Sequence, residues 1–318
     1  MPPLAAVRAS NAAFIHASAY TPVGVFVGGT SGIGEGMVRT FAENTGGKSD
    51  IIIVGRNRGA ADRILESLPK PDTNDTKFAR EFVQCDATLI RNVQVATQDI
   101  LSRHPKINYL IMSPGIATLS GRDETSEAID KKMAVHYYSR WKFLSDLLPA
   151  LTKANDAEEK VAVLSVLGAG KGGAIFEDDL HLKKHYSLVN AALVAPTYND
   201  LMIESFSERA PSLPLLHACP GFVRTSIGSS SPSALMRWST AILVPLSRPF
   251  SISAIDCSQY MWHAIYETAS KPGAWRIGSI GEDLGKKRYF GNDKQRKLVW
   301  DHTKGVVDAA LRVPPANQ

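Results

Sequence analysis

Val25-Phe26-Val27-Gly28-Gly29-Thr30-Ser31-Gly32-Ile33-Gly34-Glu35-Gly36 carries an apolar strand into a glycine-rich turn and then a helix. Glycine lets a backbone approach a pyrophosphate closely, and the helix that follows presents unpaired N–H groups and a positive dipole end to an anion. The spacing is Gly-x-x-x-Gly-x-Gly, not the Gly-x-Gly-x-x-Gly of the commonest dinucleotide fingerprint. A glycine-rich turn by itself also fits an ordinary loop. Set between a strand and a helix near the start of 318 residues, it predicts a phosphate cradle.

Outward from this stretch, strand and helix signals alternate. Strands are expected at 23–27, 51–54, 82–85, 109–112, 161–164 and 215–218, and helices at 34–43, 60–68, 92–103, 127–151 and 191–208. Continuous apolar strands separated by helices predict a parallel α/β sheet, doubly wound and covered on both faces, in one domain. In such a sheet a ligand lies at the carboxyl ends of the strands beside the switch point.

Composition narrows the function classes. Hydrophobic residues at 44% and charged residues at 21% are ordinary for a globular chain. A net charge of +5 is too mild for a nucleic-acid footprint, and the basic run Lys286-Lys287-Arg288 with Lys294, Arg296 and Lys297 reads as a solvated face. Cys85, Cys219 and Cys257 have no metal-ligand or paired spacing, so no metal is expected and a reducing, cytoplasmic compartment is the default. Residues 1–21 hold no signal-peptide core, since Arg8, Asn11 and His16 break the apolar run. They read as an N-terminal arm beside the first strand, with organellar targeting left open because the first acid is Glu35. No apolar run approaches the ~18 residues of a membrane span.

The glycine spacing and the motif order resemble the short-chain dehydrogenase/reductase superfamily, whose signature is Thr-Gly-x-x-x-Gly-x-Gly; Val27 stands at the threonine. The likeness runs over roughly residues 22–280 and implies a Rossmann-type sheet, with 281–318 a C-terminal extension packed on the same domain. On the cofactor side, Gly28, Thr30, Ser31, Gly32, Ile33 and Gly34 are the expected phosphate loop. Arg56 and Asn57 follow the second strand, where the family's NAD-preferring members carry an acid, so NADP(H) is the expected cofactor: a guanidinium suits a 2′-phosphate. Asp86 ends the third strand at the family's adenine-binding aspartate, and it could equally cap the next helix. Met112-Ser113-Pro114-Gly115 replaces Asn-Asn-Ala-Gly, keeping only Gly115. Pro220, Gly221, Val223 and Thr225 resemble the Pro-Gly-x-Val-x-Thr segment that meets the nicotinamide.

The catalytic side departs further from the pattern. Ser165 matches the family's Ser-x-x-Gly and is the expected carbonyl-polarising hydroxyl. Tyr186 is the expected proton donor, but Asn190 fills the lysine slot four residues on. A tyrosine without that ammonium stays protonated at neutral pH, able to give a proton and poor at taking one. The interval from Tyr186 to Pro220 is about one helical turn longer than the family's, so Tyr198, or no tyrosine at all, remains open. His136 replaces the family's relay asparagine; it could pass protons, supply positive charge, or simply pack within the helices. Residues 226–253 are apolar-rich and predict a lid over a lipophilic substrate. The resemblance implies an NADP(H)-dependent oxidoreductase reducing a ketone or aldehyde, and a homodimer or homotetramer through the two long helices. A non-redox enzyme on this fold and a silent NADP(H)-binding sensor or scaffold remain as alternatives.

Overall fold

A computed structural model describes residues 2–15, 20–71, 78–225 and 251–313. Seven parallel strands form one sheet: β1 (Val23–Val27), β2 (Asp50–Gly55), β3 (Arg80–Gln84), β4 (Tyr109–Met112), β5 (Ala162–Val166), β6 (Pro214–Ala218) and β7 (Gly273–Ile277). Their order is β3-β2-β1-β4-β5-β6-β7. The chain starts in the middle, winds out to β3, and returns beside β1 at β4. Loops leaving β1 and β4 therefore diverge, and a crevice opens between their carboxyl ends.

The period-two alternation of the strands sorts the core into two layers. Val25, Ile52, Leu110 and Val163 bury on one face, with α4 (Ile90–Arg103), α5 (131–156), α6 (Leu188–Arg209) and α8 (Asp293–Arg312). Phe26, Ile51, Ile53, Ile111 and Leu164 bury on the other, with α1 (Leu4–Ile15), α2 (Gly32–Asn44), α3 (Arg58–Ser67) and α7 (254–268). Strands β1 and β4 have the bounds read from sequence, and the helix expected at 127–151 runs from 131 to 156.

Four elements were not foreseen: α1, β7, α7 and α8. The N-terminal arm is a helix, and it packs on α7 instead of beside β1. Asn11 Nδ2 donates to the Gln259 carbonyl and side-chain oxygens, each at 2.8 Å, and Arg8 pairs with Asp256 at 2.7 Å. Helix α8 lies on α6 and α4, with the Trp300 ring against Trp141 (5.2 Å) and Phe206 (5.0 Å). The Arg209 guanidinium stacks 3.6 Å over the same ring. The long helices expected to form an oligomer interface thus carry the chain's own C-terminal helix. Of the lid expected at 226–253, residues 226–250 lie outside the described residues.

Candidate nucleotide-binding and catalytic site

A cleft of about 420 Å³ opens at the carboxyl ends of β1, β2, β3 and β4. Its floor is the glycine loop. Gly28 has φ +82°, and a Cβ there would come within 2.8 Å of the Pro114 nitrogen; a Cβ on Gly34 would overlap the Gly28 carbonyl. Loop, helix α2 and the β4 end are therefore in backbone contact, which only glycine permits. Ser31 is the extended N-cap of α2, and its hydroxyl makes no capping bond. The first-turn amides of α2 therefore receive no side-chain cap from Ser31, and such amides suit an anion. Thr30, Ser31, Gly32 and Ile33 all line it.

Arg56 lines the cleft at the β2 end, exposed, and no carboxylate pairs with it among the described residues. Asn57 does not line the cleft; its side chain accepts the Ala60 N–H at 3.0 Å and caps α3. Asp86 lines the cleft and accepts the Thr88 N–H (3.0 Å) and hydroxyl (2.9 Å). It does not cap α4. That role falls to Glu127, which takes the Ile90 and Arg91 amides at 2.6 and 3.0 Å. Gly115 and Thr225 line the cleft as well, Thr225 crossing close over Gly32. Pro220, Gly221 and Val223 do not line the cleft, and Val223 is bridged to Ile252.

The catalytic candidates fall into separate networks. Ser165 is fully buried, accepting from Arg140 Nη1 at 2.7 Å and donating to Asn199 Oδ1 at 2.8 Å. His136 is partly buried, and its Nε2 accepts the Ile116 N–H at 3.2 Å, which puts the ring proton on Nδ1. Burial, with Arg140 and Lys132 charges behind it, lowers its pKa to about 3. The ring is neutral, so the positive charge considered for it from sequence is absent at neutral pH. Tyr186 precedes α6 and donates to the Gly121 carbonyl at 3.3 Å. Asn190 turns back on the His185 carbonyl (2.7 Å). Tyr198 is buried, donates to the Leu180 carbonyl at 3.0 Å, and is held protonated by burial.

Residues 23–176 match the family model described as short chain dehydrogenase. Oxidoreductase AN1596 of Emericella nidulans is 32% identical over 97% of this chain and 98% of its own length. The chain belongs to the short-chain dehydrogenase/reductase family. Short-chain dehydrogenase/reductase SAT2 of Stachybotrys chartarum is 26% identical over 89% of this chain and 82% of that protein. Among solved structures, an alcohol dehydrogenase from the archaeon Thermococcus sibiricus, complexed with 5-hydroxy-NADP, superposes with a TM-score of 0.60. It is 14% identical and covers 83% of this chain and 98% of that one, so it speaks to the fold.

This family member ties its strand ends together in its own way. Arg140, from α5, ties the β4 and β5 ends together. Beyond Ser165, its guanidinium donates to the carbonyls of Met112 (3.2 Å), Pro114 (2.7 Å) and Val166 (2.9 Å). It is 1% exposed, and burial lowers its pKa to about 9, so it stays charged at neutral pH. Sequence reasoning missed it; the available signal was an arginine one turn after His136 inside an aromatic run, Tyr137-Tyr138-Ser139-Arg140-Trp141. Lys132, one turn before His136, was missed too. It lines the cleft with its side chain only 9% exposed. The described residues hold no His, Cys, Asp or Glu cluster able to bind a metal, and none of their helices is long and apolar enough to cross a membrane.

Proposed function

We propose that this short-chain dehydrogenase/reductase is an NADP(H)-dependent oxidoreductase that reduces the ketone or aldehyde of a lipophilic small molecule. Arg56 carries this reading: an exposed guanidinium at the β2 end, unpaired among the described residues, beside a helix N-terminus whose own cap hydroxyl makes no bond. A 2′-phosphate is the ligand group such a fork suits, and a carboxylate that would select a ribose diol is missing there. Asp86 and Gly115 would flank the adenine and its ribose, and the Pro220–Thr225 segment the nicotinamide. Bound reduced nicotinamide would supply hydride.

Tyr186 is the proposed proton donor. Leu119, between cleft-lining Thr118 and Ser120, is exposed, as are Val189 and Leu193 one helical turn apart just after Tyr186. These apolar side chains support a lipophilic substrate. Calorimetry with NADPH and NADH tests the cofactor, and loss of NADPH with a panel of lipophilic ketones and aldehydes tests the chemistry. NADPH bound more tightly than NADH, then consumed, is expected; no heat with either sinks the reading.

The placement of Ser165 favours a second reading. Its oxygen is occupied by Arg140 and Asn199, and it does not line the cleft. A protein that binds NADP(H) without hydride transfer, as a sensor, scaffold or non-redox enzyme, would bind NADPH tightly and leave it unchanged across the panel. A substrate altered while NADPH stays constant would select an isomerase, cyclase or dehydratase.

A further inference from the structure

Lys132 is a nearly buried ammonium whose partners among the described residues use only part of its hydrogen-bonding capacity. It lies in the first turn of α5, where the helix dipole disfavours a cation, and burial disfavours an ammonium again. Its Nζ makes one hydrogen bond, to the Gly121 carbonyl at 2.8 Å, leaving two of three N–H donors without a short partner. The nearest carboxylate oxygen, Asp130 Oδ2 at 3.9 Å, already accepts the Asp123 amide, while Asp130 Oδ1 caps Lys132 and Met133. The neighbouring Lys131, in contrast, is exposed at its tip and paired with Asp123 at 2.9 Å.

The same carbonyl joins Lys132 to Tyr186. The Tyr186 hydroxyl donates to Gly121 at 3.3 Å, and Lys132 Nζ stands 5.5 Å from the centre of the Tyr186 ring. Asn190, four residues beyond the tyrosine, brings no charge. A buried ammonium with spare donors, lining the cleft and packed on the tyrosine, is what the site otherwise lacks.

We propose that Lys132 is the ammonium of this site, delivered from α5 instead of α6: it binds oxygen atoms of the dinucleotide and stands beside Tyr186 during proton transfer. The inference rests on the reading of the cleft as an NADP(H) site. In carbonyl reduction, hydride from the dihydronicotinamide forms the new C–H bond while the Tyr186 O–H bond breaks to give the new O–H. The products are an alcohol, an oxidised nicotinamide and a phenolate, and the Lys132 ammonium is the adjacent positive charge until solvent returns the proton.

Calorimetry with NADPH on the wild type, Lys132→Met and Lys132→Arg tests this, with melting curves run alongside. Lys132→Met should weaken NADPH binding by about tenfold or more, the loss of one charge-assisted hydrogen bond, and Lys132→Arg should recover most of it. Adding Asn190→Lys to Lys132→Met should restore part of the affinity by returning an ammonium to the neighbourhood of Tyr186. Equal NADPH affinity in wild type and Lys132→Met overturns the inference while leaving the cofactor reading intact; a wild type that binds no NADPH fails the cofactor reading itself. Where Lys132→Met does not fold, acetylation of wild-type Lys132 by acetic anhydride, followed by mass spectrometry, replaces it. Saturating NADPH should slow that acetylation, and an unchanged rate would overturn the inference.

Discussion

Arg56 and Arg140 carry the same guanidinium to opposite environments, and their consequences differ accordingly. At the exposed β2 end, Arg56 has no carboxylate partner among the described residues, so Arg56→Glu should weaken NADPH binding by about tenfold to a hundredfold while changing NADH binding far less. Calorimetry with both coenzymes reads the ratio; an unchanged ratio removes Arg56 from cofactor selection. Arg140 instead meets four backbone carbonyls and the Ser165 hydroxyl in the interior. Methionine there would fill similar space and orphan those acceptors. Arg140→Met should cost about 3 kcal/mol in urea unfolding, the range for removing one member of a buried charged network. A change under about 0.5 kcal/mol, the usual span of a neutral surface substitution, would mean that the carbonyls find other partners.

At the scale of elements, helix α5 does the most to arrange the site. Near its start is a π turn, Ala134–Tyr138, in which the Ser139 N–H reaches back to the Ala134 carbonyl. A π turn inserts a residue into the helical register, and such turns are common at functional sites. Here it presents His136 to the Ile116 amide and Arg140 to the β4 and β5 ends, with Lys132 one turn earlier, lining the cleft. Helix α8 works by packing. Trp300 meets Trp141, Phe206 and Arg209, so Trp300→Ala should lower stability by about 2–3 kcal/mol, less than a fully buried tryptophan because the ring is partly exposed. Chemical denaturation measures it, and a neutral result would show that α8 contributes little to the fold.

For the whole molecule, buried histidines should make the fold acid-sensitive, His136 and His302 most of all. Burial lowers His136 to about 3 and His302 to about 4 from an ordinary 6.5; His302 also bonds the Tyr138 hydroxyl at 2.9 Å. Between those values and 6.5 the unfolded chain binds protons that the folded chain does not, so their contribution to stability is complete above 6.5 and shrinks as pH falls. The melting temperature should drop between pH 7 and pH 4.5. His302→Gln, which keeps a partner for Tyr138, should flatten part of that slope; an identical slope would place the acid sensitivity elsewhere.

Local patterning determined the architecture. Apolar runs with helical intervals sufficed for a doubly wound parallel sheet, and Gly28 to Gly34 sufficed for the crevice, because strand burial, helix periodicity and glycine's freedom act over a few residues. That Arg56, Asp86, Gly115 and Thr225 line the cleft follows from the same kind of signal: each ends a strand or loop whose position follows from sheet order. What only tertiary structure decided is which side chains meet across elements. Glu127 caps a helix that starts 37 residues earlier in the chain. Arg140 from α5 bonds Ser165 on β5, and Lys132 shares a carbonyl with Tyr186 although 54 residues separate them (186 − 132). Spacing motifs register partners on one helix or one turn. Charges and hydroxyls brought together by packing leave no such spacing, so these contacts become visible only once the helices are laid against the sheet.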